Sequence, residues 1–170
     1  MKKCIVVVDV QNDFVNGALG TKEAEAMVPR LVEKLKSEKD AHLVFTQDTH
    51  KENYLETQEG KRLPVKHCIK NTEGWQIFPA LSEFLPNAEV IEKKSFGSTR
   101  LPSVVSKYDE VELCGLCTDI CVVSNALILK AFFPEKTVSV DANCSAGVTP
   151  ESHKEALNVM KACQVEIKNA

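Results

Sequence analysis

The length, charge and cysteine content of the chain narrow the class of protein. The chain has 170 residues, a net charge of −3 and seven cysteines. This length fits one domain with a substantial core, and an odd set of scattered cysteines does not form the disulfide framework of a secreted protein. We therefore expect a cytoplasmic protein. It contains no long basic run and no apolar stretch long enough to span a membrane, so we expect a small-molecule substrate and neither nucleic acid nor a membrane as partner.

Short apolar runs alternate with helical patterns along the chain. The runs predict strands at Lys3 to Val10, Ala41 to Thr46, Ala88 to Ile91, Glu110 to Leu116, Thr137 to Asp141 and Val165 to Ile167. The helical patterns lie at Glu23 to Ser37, around Ile77 to Phe84, around Leu101 to Lys107, at Ile120 to Phe133 and at Pro150 to Cys163. This alternation predicts one α/β domain over residues 1–170, with three αβα layers around a doubly wound, mostly parallel sheet whose strands are buried on both faces.

The expected strand order brings distant residues together. Six strands of this kind most often take the order 3-2-1-4-5-6, which opens a crevice beyond the carboxyl ends of strands 1 and 4. Asp9 lies near the end of strand 1, Lys93 just after strand 3 and Cys121 just after strand 4. A buried carboxylate such as Asp9 needs a partner, because burying an unpaired charge costs several kcal/mol. Lys93 taken alone also fits a solvated strand end.

Cys121 is predicted to lie at a helix N-terminus, where backbone N–H groups and the helix dipole favour the reactive thiolate. Three other interpretations are open. Cys114 and Cys117 have the spacing of a thioredoxin-type pair, although Cys114 falls inside a predicted strand. A structural zinc site would need two more soft ligands beyond Cys117 and Cys121, and none follow at such spacing. Cys121 also fits a buried helix cysteine.

The long connection from Thr49 to Gly74 holds a second group of polar residues. Asp48 and His50 are two positions apart and point to one side of an extended segment; Glu59 and His67 follow. Such a mixed oxygen and imidazole set suits zinc, iron or manganese, although loop residues of this kind are also often merely solvated. His42 and His153 have no such neighbours in the sequence, and we interpret them as structural or surface residues.

Three segments of the chain carry a recognisable pattern. They are Asp9-Val10-Gln11-Asn12-Asp13-Phe14, then Lys93 with Phe96 and Gly97, then Gly115-Leu116-Cys117-Thr118-Asp119-Ile120-Cys121-Val122. These segments resemble, in order, the three signatures of the isochorismatase-like cysteine hydrolases. Asp48, His50, Glu59 and His67 resemble the metal site of the nicotinamidases in that superfamily. Glu56 is the alternative to Glu59, and Lys93 is preferred to Lys94 because of the spacing to Phe96 and Gly97.

The resemblance implies roles for these residues. Asp9, Lys93 and Cys121 would form a catalytic triad, and the backbone N–H groups of Cys117 and Cys121 would form the oxyanion hole, next to a cis peptide between Leu116 and Cys117. A divalent ion, zinc first and iron or manganese as alternatives, would position the pyridine ring of the substrate. Phe14 and Leu63 would line the pocket; an aromatic residue is frequent where this chain has Leu63. Self-association into a homo-oligomer is also implied.

The function that the resemblance implies is hydrolysis of nicotinamide to nicotinate and ammonia through a cysteine thioester. The alternative is a metal-independent hydrolase of the same family that acts on another small amide, carbamoyl compound or ureide. Isochorismate hydrolysis is disfavoured by the Asp48 and His50 pair. A binding module without catalysis is disfavoured by the complete triad. A redox protein that uses Cys114 and Cys117 is the least favoured interpretation.

Overall fold

One sheet of six parallel strands organises the computed structural model, which describes residues 1–170. Its strands are β1 (Lys3–Val8), β2 (His42–Asp48), β3 (Glu89–Lys93), β4 (Glu110–Leu116), β5 (Thr137–Ala146) and β6 (Glu166–Lys168). They lie in the order β3-β2-β1-β4-β5-β6, and every neighbouring pair is parallel. The predicted fold class and strand order are confirmed.

Helices cover both faces of this sheet. They are α1 (Asn12–Val15), α2 (Lys22–Ser37), α3 (Gln58–Arg62), α4 (Leu101–Val105), α5 (Val123–Phe132) and α6 (Pro150–Ala162), with 3₁₀ segments at Tyr54–Glu56 and Pro79–Asn87 and a π-helical turn at Thr118–Val122. One apolar core lies under α4, α5 and α6, and a second lies under α2 and the 3₁₀ segment at Pro79–Asn87. None of the helices has both the length and the apolar composition needed to cross a lipid bilayer.

The alternation of side chains along β1 explains why there are two cores. Cys4, Val6 and Val8 pack into one core, whereas Ile5 and Val7 pack into the other. Successive residues of a strand point to opposite faces, so a continuous apolar run is what a central parallel strand requires.

The strand ends differ from prediction where polar residues lie. β2 continues beyond Thr46 because Gln47 and Asp48 still pair with β3. β1 instead ends at Val8, and Asp9 follows with a left-handed φ of 47°. Burial on both faces is wrong for the edge strand β3, where Val90 is 39% exposed, because nothing covers the outer face at that position.

A buried ionic cluster ties the central strand to three other elements. Glu112 of β4 is fully buried and contacts the ammonium groups of Lys34 in α2, Lys3 in β1 at 3.1 Å and Lys168 in β6 at 2.9 Å. Burial alone would raise the pKa of Glu112, but the hydrogen bonds from Lys34 and Lys168 and the charge of Lys34 lower it to about 2. The carboxylate is therefore charged and paired, as a buried ion must be.

Candidate active site

The carboxyl ends of β1, β3 and β4 bring three distant residues into contact. Asp9 follows β1 directly, Lys93 is the last residue of β3 and Cys121 lies in the turn after β4. All three side chains are at least 96% buried, with exposures of 0, 3 and 4%. Thr46 of β2 orients Asp9, since its hydroxyl donates to a carboxylate oxygen at 2.7 Å and its hydroxyl oxygen accepts from the Asp9 N–H at 3.2 Å.

The Lys93 ammonium contacts each of the other charged or reactive groups of this site. Its nitrogen lies 2.6 Å from Asp9 Oδ2, 3.5 Å from Asp48 Oδ1 and 3.4 Å from Cys121 Sγ, and it donates to the Ser95 carbonyl at 3.1 Å. Burial alone would lower the pKa of Lys93, but the negative charge of Asp9, together with that of Asp48, outweighs burial and raises it. Lys93 is therefore a buried cation, and the solvated-strand-end interpretation is wrong.

Cys121 is held as a thiol when no substrate is present. It is the fourth residue of the helical turn Thr118–Val122, which precedes α5. Burial, followed by the negative charge of Asp9, raises the pKa of Cys121 well above its usual value, and Lys93 offsets this only in part. The bias toward the thiolate that is expected at a helix N-terminus is thus opposed by burial and by the neighbouring carboxylate.

Asp9 is the base within reach of this thiol. Burial raises its pKa above the usual aspartate value, although the Lys93 ammonium opposes the shift. A raised carboxyl pKa makes proton transfer from a thiol less uphill. The transfer leaves the net charge of the three groups unchanged, because one negative charge moves from carboxylate to sulfur. The Lys93 nitrogen lies close to both atoms, so the cation keeps an anionic partner before and after the transfer.

A second group of side chains lies beside the first. One ligand atom each from Asp48, His50 and His67 lies within 4.8 Å of the others. Asp48 Oδ2 is 3.0 Å from His50 Nε2 and 3.7 Å from His67 Nε2, and Glu59 Oε1 is 3.7 and 3.5 Å from the same two nitrogens. The structure places Glu59 at this cluster, whereas Glu56 is exposed.

Backbone pairing folds the long connection back to form the cluster. His50 donates its N–H to the Cys68 carbonyl, and Lys70 donates to the His50 carbonyl, both at 2.9 Å, as an isolated parallel bridge. This bridge brings His67 beside His50. The connection predicted as a loop therefore holds ordered structure, including α3, which carries Glu59.

The cluster has the donor chemistry of a divalent metal site. Two imidazole nitrogens and two carboxylates converge, and such a set suits zinc, iron or manganese. His67 Nδ1 lies 2.8 Å from the Val65 carbonyl, which leaves Nε2 to face the other ligands; second-shell bonds of this kind are usual for metal-binding histidines. Asp48 links the two groups, since its Oδ1 lies near Lys93 and its Oδ2 near the histidines. The residues present thus fit such an ion.

The remaining predicted residues lie around this site. The Phe14 ring centroid is 5.4 Å from that of His67, and Leu63 is 40% exposed. Cys117 precedes the turn that carries Cys121, the peptide between Leu116 and Cys117 is cis, and the Cys117 N–H forms no hydrogen bond within the chain. Cys114 is fully buried in β4, which disfavours its use as a redox partner of Cys117.

Sequence reasoning missed residues that support the site. Tyr54 is fully buried, its ring packs edge-on against His50 at 4.8 Å and His67 at 4.9 Å, and its hydroxyl donates to the Leu63 carbonyl at 2.9 Å. The only indication of this role in the sequence is that Tyr54 is an aromatic residue within a largely polar connection. His153 and His42, interpreted as structural or surface residues, make contacts that agree with a structural role: His153 Nδ1 lies 2.8 Å from Thr118 Oγ1, and His42 stacks on Tyr108.

Comparison with known proteins agrees with this architecture. Residues 3–169 match the isochorismatase domain family. The isochorismatase family protein PncA of Bacillus subtilis is 30% identical over 174 residues, which cover 93% of each chain. The crystal structure of nicotinamidase PncA from Bacillus subtilis aligns with a TM-score of 0.83 and 28% identity, covering 99% of this chain and 100% of the other. Pyrazinamidase of Pyrococcus horikoshii in complex with zinc aligns with a TM-score of 0.82 and 27% identity, covering 98% of both chains. The resemblance seen in the motifs is confirmed, and the chain belongs to the isochorismatase family.

Proposed function

We propose that this protein hydrolyses nicotinamide to nicotinate and ammonia through a thioester on Cys121. The observation that carries the proposal is the contact of Lys93 with both Asp9 and Cys121, next to a cluster of Asp48, His50, Glu59 and His67. Relatives named as nicotinamidases and pyrazinamidases share this fold over nearly their whole length. They support an amide as the substrate.

In the first half of the reaction, Asp9 accepts the proton of the Cys121 thiol. The sulfur attacks the amide carbonyl carbon, and the carbonyl oxygen becomes an oxyanion. Asp9 then returns its proton to the amide nitrogen, the C–N bond breaks and ammonia leaves. The enzyme is left as an acyl thioester, with Asp9 ionised again beside the Lys93 ammonium.

Ionisation of the thiol and stabilisation of the oxyanion both contribute to the rate. Burial and the charge of Asp9 raise the pKa of Cys121, so the thiol is scarcely ionised at rest and loses its proton to Asp9 as it attacks. One oxyanion-hole donor is commonly worth about 100- to 1000-fold. The N–H groups of Cys117 and Cys121 are the proposed donors, and the N–H of Cys117 has no partner within the chain.

In the second half, Asp9 accepts a proton from water as the water oxygen attacks the thioester carbonyl. The C–S bond breaks, the product leaves as nicotinic acid, which loses its proton to ammonia or water to give nicotinate, and Cys121 recovers its proton from Asp9. Lys93 compensates the negative charge that appears in turn on Asp9, on sulfur and on the intermediate.

Asp48, His50, Glu59 and His67 are the residues that would hold a divalent metal ion. When bound, the ion supplies a ligand site for the pyridine nitrogen and thereby orients the ring toward the sulfur. Phe14 and Leu63 are proposed to line the pocket for that ring.

A panel of amides tests the substrate. We expect the protein to release ammonia from nicotinamide and to lose this activity in Cys121→Ala. A strong chelator should reduce the activity, because the ring is then poorly positioned. Turnover of other amides or ureides without nicotinamide turnover would instead support the metal-independent alternative. The observation in favour of that alternative is Leu63, which is half-exposed and stands where the family often has an aromatic residue.

Self-association and a cytoplasmic location stay predictions of the sequence. The family resemblance implies a homo-oligomer. Light scattering of the purified protein measures its mass directly, and a mass equal to the 18.8 kDa chain would contradict the prediction.

A further inference from the structure

Asn125 of α5 makes three hydrogen bonds, two of them buried, between two segments of the site. Its amide nitrogen donates to the Cys121 carbonyl at 2.8 Å and to the Phe96 carbonyl at 3.2 Å. Its amide oxygen accepts from the Ser98 N–H at 2.9 Å. The residue is fully buried, so the bonds to the Cys121 carbonyl and the Ser98 N–H are shielded from competing water.

The segment bound by Asn125 is the one that follows Lys93. Lys93 donates to the Ser95 carbonyl at 3.1 Å, and the Ser95 hydroxyl donates to the Gly97 carbonyl. The same short segment therefore contacts the ammonium at one end and the Asn125 amide at the other. Asn125 also binds the backbone carbonyl of Cys121, and the sulfur of Cys121 lies 3.4 Å from the same ammonium.

Position in the helix explains why Asn125 reaches the nucleophile. It is four residues after Cys121, and a helical side chain lies over the turn N-terminal to its own Cα. A hydroxyl at this position can also bond the carbonyl four residues back. Only a longer group with both a donor and an acceptor, however, can also bind Phe96 and Ser98.

We propose that Asn125 is a positioning residue that sets the distance between the Lys93 ammonium and the Cys121 sulfur. It acts through the Cys121 carbonyl and through backbone groups of Phe96 and Ser98, in the segment that follows Lys93, and it has no hydrogen bond to either reacting atom. The proposal rests on the proposed function for its kinetic consequence. Its geometric consequence is independent of the substrate, because the charge environment of the sulfur depends on where Lys93 lies.

The test compares Asn125→Thr, Asn125→Ala and the control Ser124→Ala. Threonine keeps a hydroxyl for the Cys121 carbonyl but loses the contacts with Phe96 and Ser98, whereas alanine loses all three bonds. Ser124 is a matched control because its hydroxyl donates to the Ile120 carbonyl of the same turn, without a hydrogen bond to the segment after Lys93. Rates are referred to the folded fraction measured by circular dichroism.

Two readouts are measured. The first is nicotinamide hydrolysis, for which we expect kcat to fall on the order of 100-fold in both Asn125 variants with little change in KM, since small misplacements of reacting groups have effects of this size. The second is alkylation of Cys121 by iodoacetamide, relative to the exposed Cys163 in the same chain. We expect this ratio to fall, because a displaced ammonium stabilises the thiolate less.

Other outcomes overturn the proposal. A merely structural role predicts a looser turn, greater access to Cys121 and a ratio that rises. Wild-type kcat and an unchanged ratio in Asn125→Thr would also refute it, as would an equal effect of Ser124→Ala. If the wild type does not hydrolyse nicotinamide, the proposed function fails, yet the alkylation ratio still tests the role of Asn125.

Discussion

The ammonium nitrogen of Lys93 lies 3.4 Å from the sulfur of Cys121, although Lys93 ends β3 and Cys121 lies in the turn after β4. This contact places a buried cation beside a thiol whose pKa is raised by burial and by Asp9. A cation at this distance favours negative charge on sulfur when it forms. The pair is therefore arranged to stabilise the thiolate during the reaction more than to generate it at rest.

Removing the Lys93 charge is expected to damage both activity and stability. Lys93→Gln leaves Asp9 buried without its partner at 2.6 Å, and breaking a buried ion pair costs about 3–5 kcal/mol. We expect hydrolysis to fall at least about 100-fold. Lys94→Gln is the matched control, because Lys94 is the next residue and is exposed. Urea unfolding and steady-state kinetics measure the two effects, and equal behaviour of the two variants would contradict the role given to Lys93.

Cys121 should carry the acyl group during turnover. Cys121→Ala is expected to reduce hydrolysis by about 10⁴-fold or more, since loss of a nucleophile removes the covalent route. Acid quenching of the wild type under turnover, followed by mass spectrometry, should find a nicotinoyl group on the Cys121 peptide. Cys163→Ser serves as control because Cys163 is exposed and distant in sequence from the site motifs. An acyl group on any other cysteine would refute the assignment.

The choice between Glu59 and Glu56 can be tested by metal content. Glu59→Gln and His67→Ala should weaken binding of a divalent ion by at least about 10-fold, the lower end of effects seen when groups at metal sites are replaced. Glu56→Gln should leave it unchanged because Glu56 is exposed. Metal per chain after dialysis against zinc, measured by mass spectrometry, gives the answer without an activity assay. Weaker binding only in Glu56→Gln would reverse the assignment.

Glu112 should make stability depend on pH in the acid range. Its pKa is 4.5 when unperturbed and about 2 in the folded protein, which corresponds to about 3 kcal/mol. Because the folded pKa is the lower one, this stabilisation is complete above pH 4.5 and is lost as the pH falls toward 2.

The variant Glu112→Gln imitates the protonated carboxyl group and isolates this effect. The unfolding free energies of wild type and variant should differ by about 3 kcal/mol at neutral pH and converge in acid. Glu110→Gln, in the same strand with a side chain 21% exposed, should cost less than about 1 kcal/mol. A gap between wild type and Glu112→Gln that stays constant from pH 7 to pH 2 would show that the charge is not the cause.

Local pattern was sufficient for most elements of the sheet. β4 has the predicted bounds, Glu110–Leu116, because apolar residues dominate this run, although Glu112 interrupts it. The order of the strands and the meeting of Asp9, Lys93 and Cys121 followed from general rules for parallel sheets. Strand ends were less predictable, since Gln47 and Asp48 look like loop residues until their pairing with β3 is known.

Tertiary structure alone defined the electrostatics and the supporting contacts of the site. The sequence identifies which acids, bases and thiols the chain contains, and its periodicity indicates the strand after which each one falls. It does not reveal that burial raises the pKa of Cys121 or that a backbone bridge brings His67 to His50. Nor does it reveal that the Asn125 amide bonds both the turn that carries Cys121 and the segment after Lys93. Desolvation and hydrogen bonding depend on distances between residues far apart in the chain, and these distances exist only once the chain has folded.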